Sequence, residues 1–102
     1  MSDRVDQFQA LVSNQPDNSL FRFSLAQALL AVQRVPEAIQ HLEICVEQKA
    51  DWMLPRILLG KTLLKTGQID RAKPLLETAL QLATEQDHED PAAELKMILA
   101  EI

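Results

Sequence analysis

The chain has one cysteine, no tyrosine and two glycines among its 102 residues. A lone Cys45 cannot close an internal disulfide and leaves the redox compartment open. Two glycines do not supply a glycine-rich phosphate loop. Only Phe8, Phe21, Phe23 and Trp52 are aromatic. A pleated sheet is filled by aromatic and β-branched side chains, so their scarcity disfavours strands. No apolar run approaches the ~20 residues that a membrane-spanning helix requires. The amino-terminal stretch MSDRVDQFQ lacks the apolar segment of a secretory signal, so a cytoplasmic protein without membrane contact is expected. Basic residues are outnumbered, 10 against 15 acidic, giving a net charge of −5. That argues against a nucleic-acid partner, which needs a concentrated basic face. His41 and His88 have no neighbours at metal-ligand spacing, so no metal and no cofactor are expected.

What is present is leucine and alanine in helical spacing. A chain of this length reads as a single domain over 1–102, with roughly two-thirds of its unfolded surface buried on folding. The stretch Asp51 to Thr84 reads as two helices folded back on each other. Leu59, Leu63 and Leu64 lie on the first, and Ala72, Leu76, Ala79 and Leu80 on the second. Gly67 stands where the first must stop, because a left-handed residue there suits only glycine. The same lettering recurs 34 residues earlier: Leu20 on Leu54, Arg22 on Arg56, Leu25 on Leu59, Leu29 on Leu63, Ala38 on Ala72 and Leu42 on Leu76. Ala26 answers Gly60 in smallness. A fixed period of this size marks a repeat array.

Period and spacing resemble the tetratricopeptide repeat. That family reads Trp-x2-Leu-Gly-x2-Tyr, then Ala-x3-Phe, then Pro. Here one copy gives Leu59-Gly60-x2-Leu63 and Ala72-x3-Leu76. The other gives Leu25-Ala26-x2-Leu29 and Ala38-x3-Leu42. The family's Trp position holds Arg22 and Arg56, and its Tyr position holds Leu29 and Leu63. The run LLGKTLLKTGQIDRA is similar to small bacterial proteins of two such repeats with flanking helices. The implied fold is all-α: about six helices in antiparallel hairpins, a fragment of an α-solenoid. The expected parts are a flanking helix over 1–17, repeats over 18–50 and 51–84, and an acidic linker with a capping helix over 85–102.

Turn residues set the boundaries. Pro16 stops the first helix, and Asn18 is placed to cap the second. The second helix is expected from Ser19 to Gln33 and the third from Pro36 to Lys49. The others should follow Asp51, Asp70 and Asp90, each meeting the positive end of a helix dipole. Pro36 and Pro91 suit a first helical position. Pro55 and Pro74 fall in or just after a first turn, so no proline interrupts a helix middle. Leu95 and Leu99 are expected to cover the fifth helix.

The second and fourth helices are apolar nearly all round, so either both lie centrally and touch a helix on each flank, or part of that surface lines a groove for a peptide or helix or makes a dimer contact. The resemblance implies that the first helix of each repeat faces a concave channel. By that carry-over Phe23, Gln27 and Leu30 line it in one copy, and Ile57, Lys61, Leu64 and Lys65 in the other. Lys61 and Lys65 sit one turn apart, so their ammonium groups emerge together and can draw an acidic partner or simply be solvated. Trp52 is either an interface anchor or a cover for the repeat junction. Cys45 occupies a small core position, without an adjacent base for nucleophilic chemistry. His41 lacks the basic and small residues that should follow a phosphorelay histidine. No enzyme is expected. The chain reads as a scaffold for an unidentified protein or peptide, with a homodimer through the same surface as the competing reading.

Overall fold

A computed structural model describes residues 3–102. The described residues form six α-helices and no strand: α1 Asp3–Asn14, α2 Ser19–Ala31, α3 Val35–Gln48, α4 Met53–Lys65, α5 Ile69–Glu85 and α6 Glu89–Ala100. The chain divides into two compact units, one ending at Ala50 and the other spanning Asp51–Ile102.

In the first unit α2 packs against both α1 and α3. Burial on two sides is why its apolar residues are not confined to one stripe. Val5 and Val12, two turns apart on α1, join Leu25, Ala28 and Leu29 of α2 and Ala38 of α3 in one cluster. Phe8, Phe21 and Leu30 close its margin. Each fully buried leucine here stabilises the fold by about 1.5–3 kcal/mol. The Ser19 hydroxyl donates to Gln48 Oε1 at 3.0 Å, and the Cys45 thiol points at the Ser19 carbonyl at 3.7 Å. The start of α2 thus meets the end of α3, so the pair is antiparallel.

In the second unit α5 is the central helix, packed by α4 and α6. Ala72, Leu76, Ala79 and Ala83 of α5 are fully buried, as are Leu63 of α4 and, nearly, Leu95 of α6. Leu99 is only half-buried, so Leu95 is the main apolar anchor of α6. Gln86 Nε2, past the end of α5, donates to the Asp51 carbonyl at 3.1 Å. In the first unit Gln48 Nε2 makes the corresponding closure onto the Pro16 carbonyl at 3.0 Å.

Three helices end in the same way. After α4, Gly67 takes φ +79° and Gln68 N–H donates back to the Leu63 carbonyl at 2.8 Å. After α2, Gln33 takes φ +64° and Arg34 N–H reaches the Leu29 carbonyl at 2.9 Å. After α5, Asp87 takes φ +58° and His88 N–H reaches the Ala83 carbonyl at 2.8 Å. This six-to-one bond satisfies an orphan carbonyl at the cost of one left-handed residue. The second helix therefore stops at Ala31, two residues before the expected Gln33. Gln33 lies 34 residues before Gly67 and performs the same duty with a Cβ in the way. Replacing it by glycine should raise unfolding free energy by about 1 kcal/mol. A urea midpoint unchanged or lowered in Gln33→Gly would count against this account of the turn.

The helix starts also differ in detail. Asn18 caps α2 as expected, its Oδ1 accepting the Phe21 N–H at 3.1 Å. Trp52, not Asp51, is the cap residue of α4, so Asp51 lies one residue outside the dipole position assigned to it. Helices α3, α5 and α6 begin at Val35, Ile69 and Glu89, one or two residues early. Pro36 and Pro91 are consequently second and third residues rather than first. Pro74 is the sixth residue of α5 and interrupts its bonding, because it has no N–H to offer the Asp70 carbonyl.

Candidate partner-binding surface

The residues of α2 that face away from its buried side form a line. Gln27 and Ala31 are exposed, and Phe23, Ser24 and Leu30 are half-buried. A cleft of about 260 Å³ bordered by Arg4, Gln27, Ala28 and Ala31 opens beside this line. The corresponding line on α4 holds Ile57, Leu58, Lys61 and Leu64, all half-buried, and exposed Lys65. Trp52, at the head of α4, is half-buried. Phe23 and Gln27 on α2, and Ile57, Lys61, Leu64 and Lys65 on α4, fall at helical spacing along these lines, whereas Leu30 also packs against the buried cluster of the first unit and Trp52 stands before α4 as its cap residue.

Two members of these lines were not anticipated. Leu20 is 65% exposed and Leu54 50% exposed. They stand at the same repeat position, and spacings of three and seven join them to Phe23 and Gln27, or to Ile57 and Lys61. That spacing was available in the sequence as a signal. The third unanticipated feature is an ion pair between Lys61 Nζ and Glu94 of α6. No sequence rule would have found it, because it depends on where α6 comes to rest. Glu94 lies beside Lys61, and Lys65 continues the line one turn on.

The most heavily buried charge is elsewhere. Arg22 is 8% exposed, at the position where the repeat pattern carries tryptophan. Its Nη1 donates to His41 Nδ1 at 3.0 Å and its Nη2 to the Pro16 carbonyl at 3.0 Å. Because a guanidinium only donates, His41 Nδ1 is the acceptor and the ring is neutral, with its proton on Nε2. Burial, and then the Arg22 charge, hold the His41 pKa below the ordinary imidazole value, against a smaller opposing pull from Glu37. Burial pushes the Cys45 thiol up to about 11. That value suits a packing role and not a thiolate nucleophile. Among the described residues no group of three His, Cys, Asp or Glu side chains converges. Nor is any helix long and apolar enough to cross a membrane. A larger cavity, about 340 Å³ at the α5–α6 turn, includes Asp87, His88 and Lys96 but none of the line residues.

Paired helices closing on a glycine-type turn, with small residues where they cross, define a helical-hairpin repeat protein. The sequence profile of the tetratricopeptide repeat matches residues 5–51 and 57–102. The chain belongs to that family. It is 31% identical over 93 residues to a tetratricopeptide repeat-containing protein of Pseudomonas aeruginosa, spanning 91% of this chain and 87% of that one. It is 29% identical over 92 residues to DnaJ homolog subfamily C member 3 of Bos taurus. That match covers 90% of this chain but 18% of the relative, so the chain spans about a fifth of that protein's length. Among solved structures, PcrH bound to the chaperone-binding region of PopD superimposes with a TM-score of 0.87. The identity there is 21%, covering 94% of this chain and 73% of PcrH, a likeness of fold.

Proposed function

We propose that the protein is a non-enzymatic interaction module that holds a peptide or helix of a partner protein on the open faces of α2 and α4. The contacts come from Phe23, Gln27 and Leu30 on one helix and from Trp52, Ile57, Lys61, Leu64 and Lys65 on the other. The observation that carries the reading is the open apolar side of each of these helices. Leu20 and Leu54 are more than half or half exposed at matching positions, where a solvated helix would place polar residues. The PcrH structure supports it by analogy, since that protein of the same fold holds a segment of PopD.

The test compares the native protein with Phe23→Asp and Ile57→Asp in capture of partners from the source lysate. A carboxylate set among apolar contacts should weaken capture at least about tenfold, with the helical circular dichroism unchanged. Undiminished capture by both folded variants would rule the faces out. Sedimentation separates the competing reading. A tight dimer that shields Trp52 from a quencher, and is broken by the same substitutions, would assign the surface to self-association.

A further inference from the structure

We infer that the open face of α4 selects an acidic amphipathic segment, and that Glu94 marks the position on Lys61 which a carboxylate of that segment takes. This rests on the reading above that α4 contacts the partner, and adds the chemistry of that contact.

The argument is one of charge segregation. The chain has 15 acidic residues, yet neither α2 nor α4 contains one. On α2 the only charge is Arg22, which is buried. On α4 there are three, Arg56, Lys61 and Lys65, and all are positive. In a protein of net charge −5, this helix is locally cationic. Its cations do not replace the apolar side; they stand on it, Lys61 between Ile57 and Leu64, and Lys65 a turn further on. A surface of this kind fits a segment with apolar anchors along one side and carboxylates one turn apart beside them.

The molecule already makes one such contact. Glu94, carried on a helix, bonds Lys61 within the second unit. The two side chains remain 40% and 54% exposed. An ion pair this open is worth little, so an incoming carboxylate can exchange for Glu94 at small cost. The segment from Glu85 to Glu94 has five acidic residues and no lysine or arginine. Of these, Glu94 is the one that meets α4, and a bound carboxylate takes its place on Lys61. Leu54, half exposed at the head of the line, supplies an apolar contact that Glu94 does not use.

The probe is a short fluorescent peptide with a leucine stripe and glutamates on its flanks. Its control has lysines in place of the glutamates. Anisotropy with the full chain should show the glutamate peptide binding about tenfold more tightly at low salt, the preference shrinking as salt rises. Glu94→Gln should tighten the glutamate peptide about threefold. Lys61→Glu should lose the preference. The charge-swapped pair Lys61→Glu with Glu94→Lys keeps the internal contact and should turn preference toward the lysine peptide. Circular dichroism identifies any variant that fails to fold, and the native chain with the two peptides decides the matter without variants. Equal binding of both peptides, or of neither, overturns the inference. If Ile57→Asp still abolishes partner capture in that case, α4 contacts the partner by apolar surface alone and the proposed function stands.

Discussion

Gly60→Leu should lower the unfolding free energy of the second unit by about 3 kcal/mol or more, read as a fall in melting temperature of more than about 10 °C. The reason is a single close approach. A Cβ built on Gly60 would lie 2.5 Å from Leu76 Cδ2 and 2.7 Å from its Cγ. Leu76 is fully buried in the middle of α5. Its Cγ is not a free end that can swing aside, so the α4–α5 contact itself must open. Gly60→Ala should cost less. Alanine recovers about 1 kcal/mol of helix propensity while incurring the same first clash. Shortening the opposing side chain should relieve it, so Gly60→Ala with Leu76→Val is expected to be more stable than the two single changes sum to. In the first unit the matching position already carries a methyl group. Ala26 is fully buried there, as is Leu42. Ala26→Gly should cost roughly the propensity difference, ~1 kcal/mol, in the opposite sense to the glycine on α4. Additive single changes at Gly60 and Leu76, or a Gly60→Leu protein as stable as the native one, would contradict the close packing.

The hairpins were legible because their signals are local and repeated. Leucine at Leu25 and Leu59, small residues at Ala26 and Gly60, and a stop at Gly67 each follow from spacing alone, and all four core positions are buried. The left-handed Gln33 was legible too, through its register with Gly67. Its own side chain gives no such signal, because glutamine is a good helix former with no preference for a left-handed backbone, so local propensity alone carries α2 past Ala31. Asp87 makes the same turn outside the period, so register could not have found it. Helix starts differ where no polar side chain does the capping: Trp52, Gln68 and His88 are cap residues whose side chains make no capping bond to the helix N-terminus. Of the candidate surface, the line on each first helix was implied by the resemblance to the repeat family, and periodicity added only that Leu20 and Leu54 share its spacing. The Lys61–Glu94 pair could not be read, since the acidic run before Glu94 gives no clue to which lysine it meets.

Arg22→Ala is expected to destabilise the first unit by about 3 kcal/mol at neutral pH. Three losses combine. The His41 Nδ1 acceptor and one bond to the Pro16 carbonyl go unanswered, and the aliphatic stem leaves a void beside the α2–α3 contact. Gln48 still donates to Pro16, so that carbonyl is not stranded altogether. Arg22→Met should cost much less. It fills the stem's volume, and it also removes Nε, a buried donor with no acceptor in the native structure. A pH series separates this reading from simple loss of packing. His41 has a pKa lowered on folding, chiefly by burial and next by Arg22. The unfolded chain therefore binds the proton more readily. Native stability is fully present above the ordinary imidazole pKa, about 6.5, and declines as pH falls from there toward the folded value. In Arg22→Met the cation facing His41 is gone, so the folded imidazole accepts a proton more easily and the decline should be shallower. Urea midpoints between pH 8 and pH 5 for native, Arg22→Met and His41→Leu proteins would decide it. His41→Leu should lose this component of the slope. A slope that is the same in all three would show that the Arg22–His41 contact does not govern how the first hairpin responds to acid.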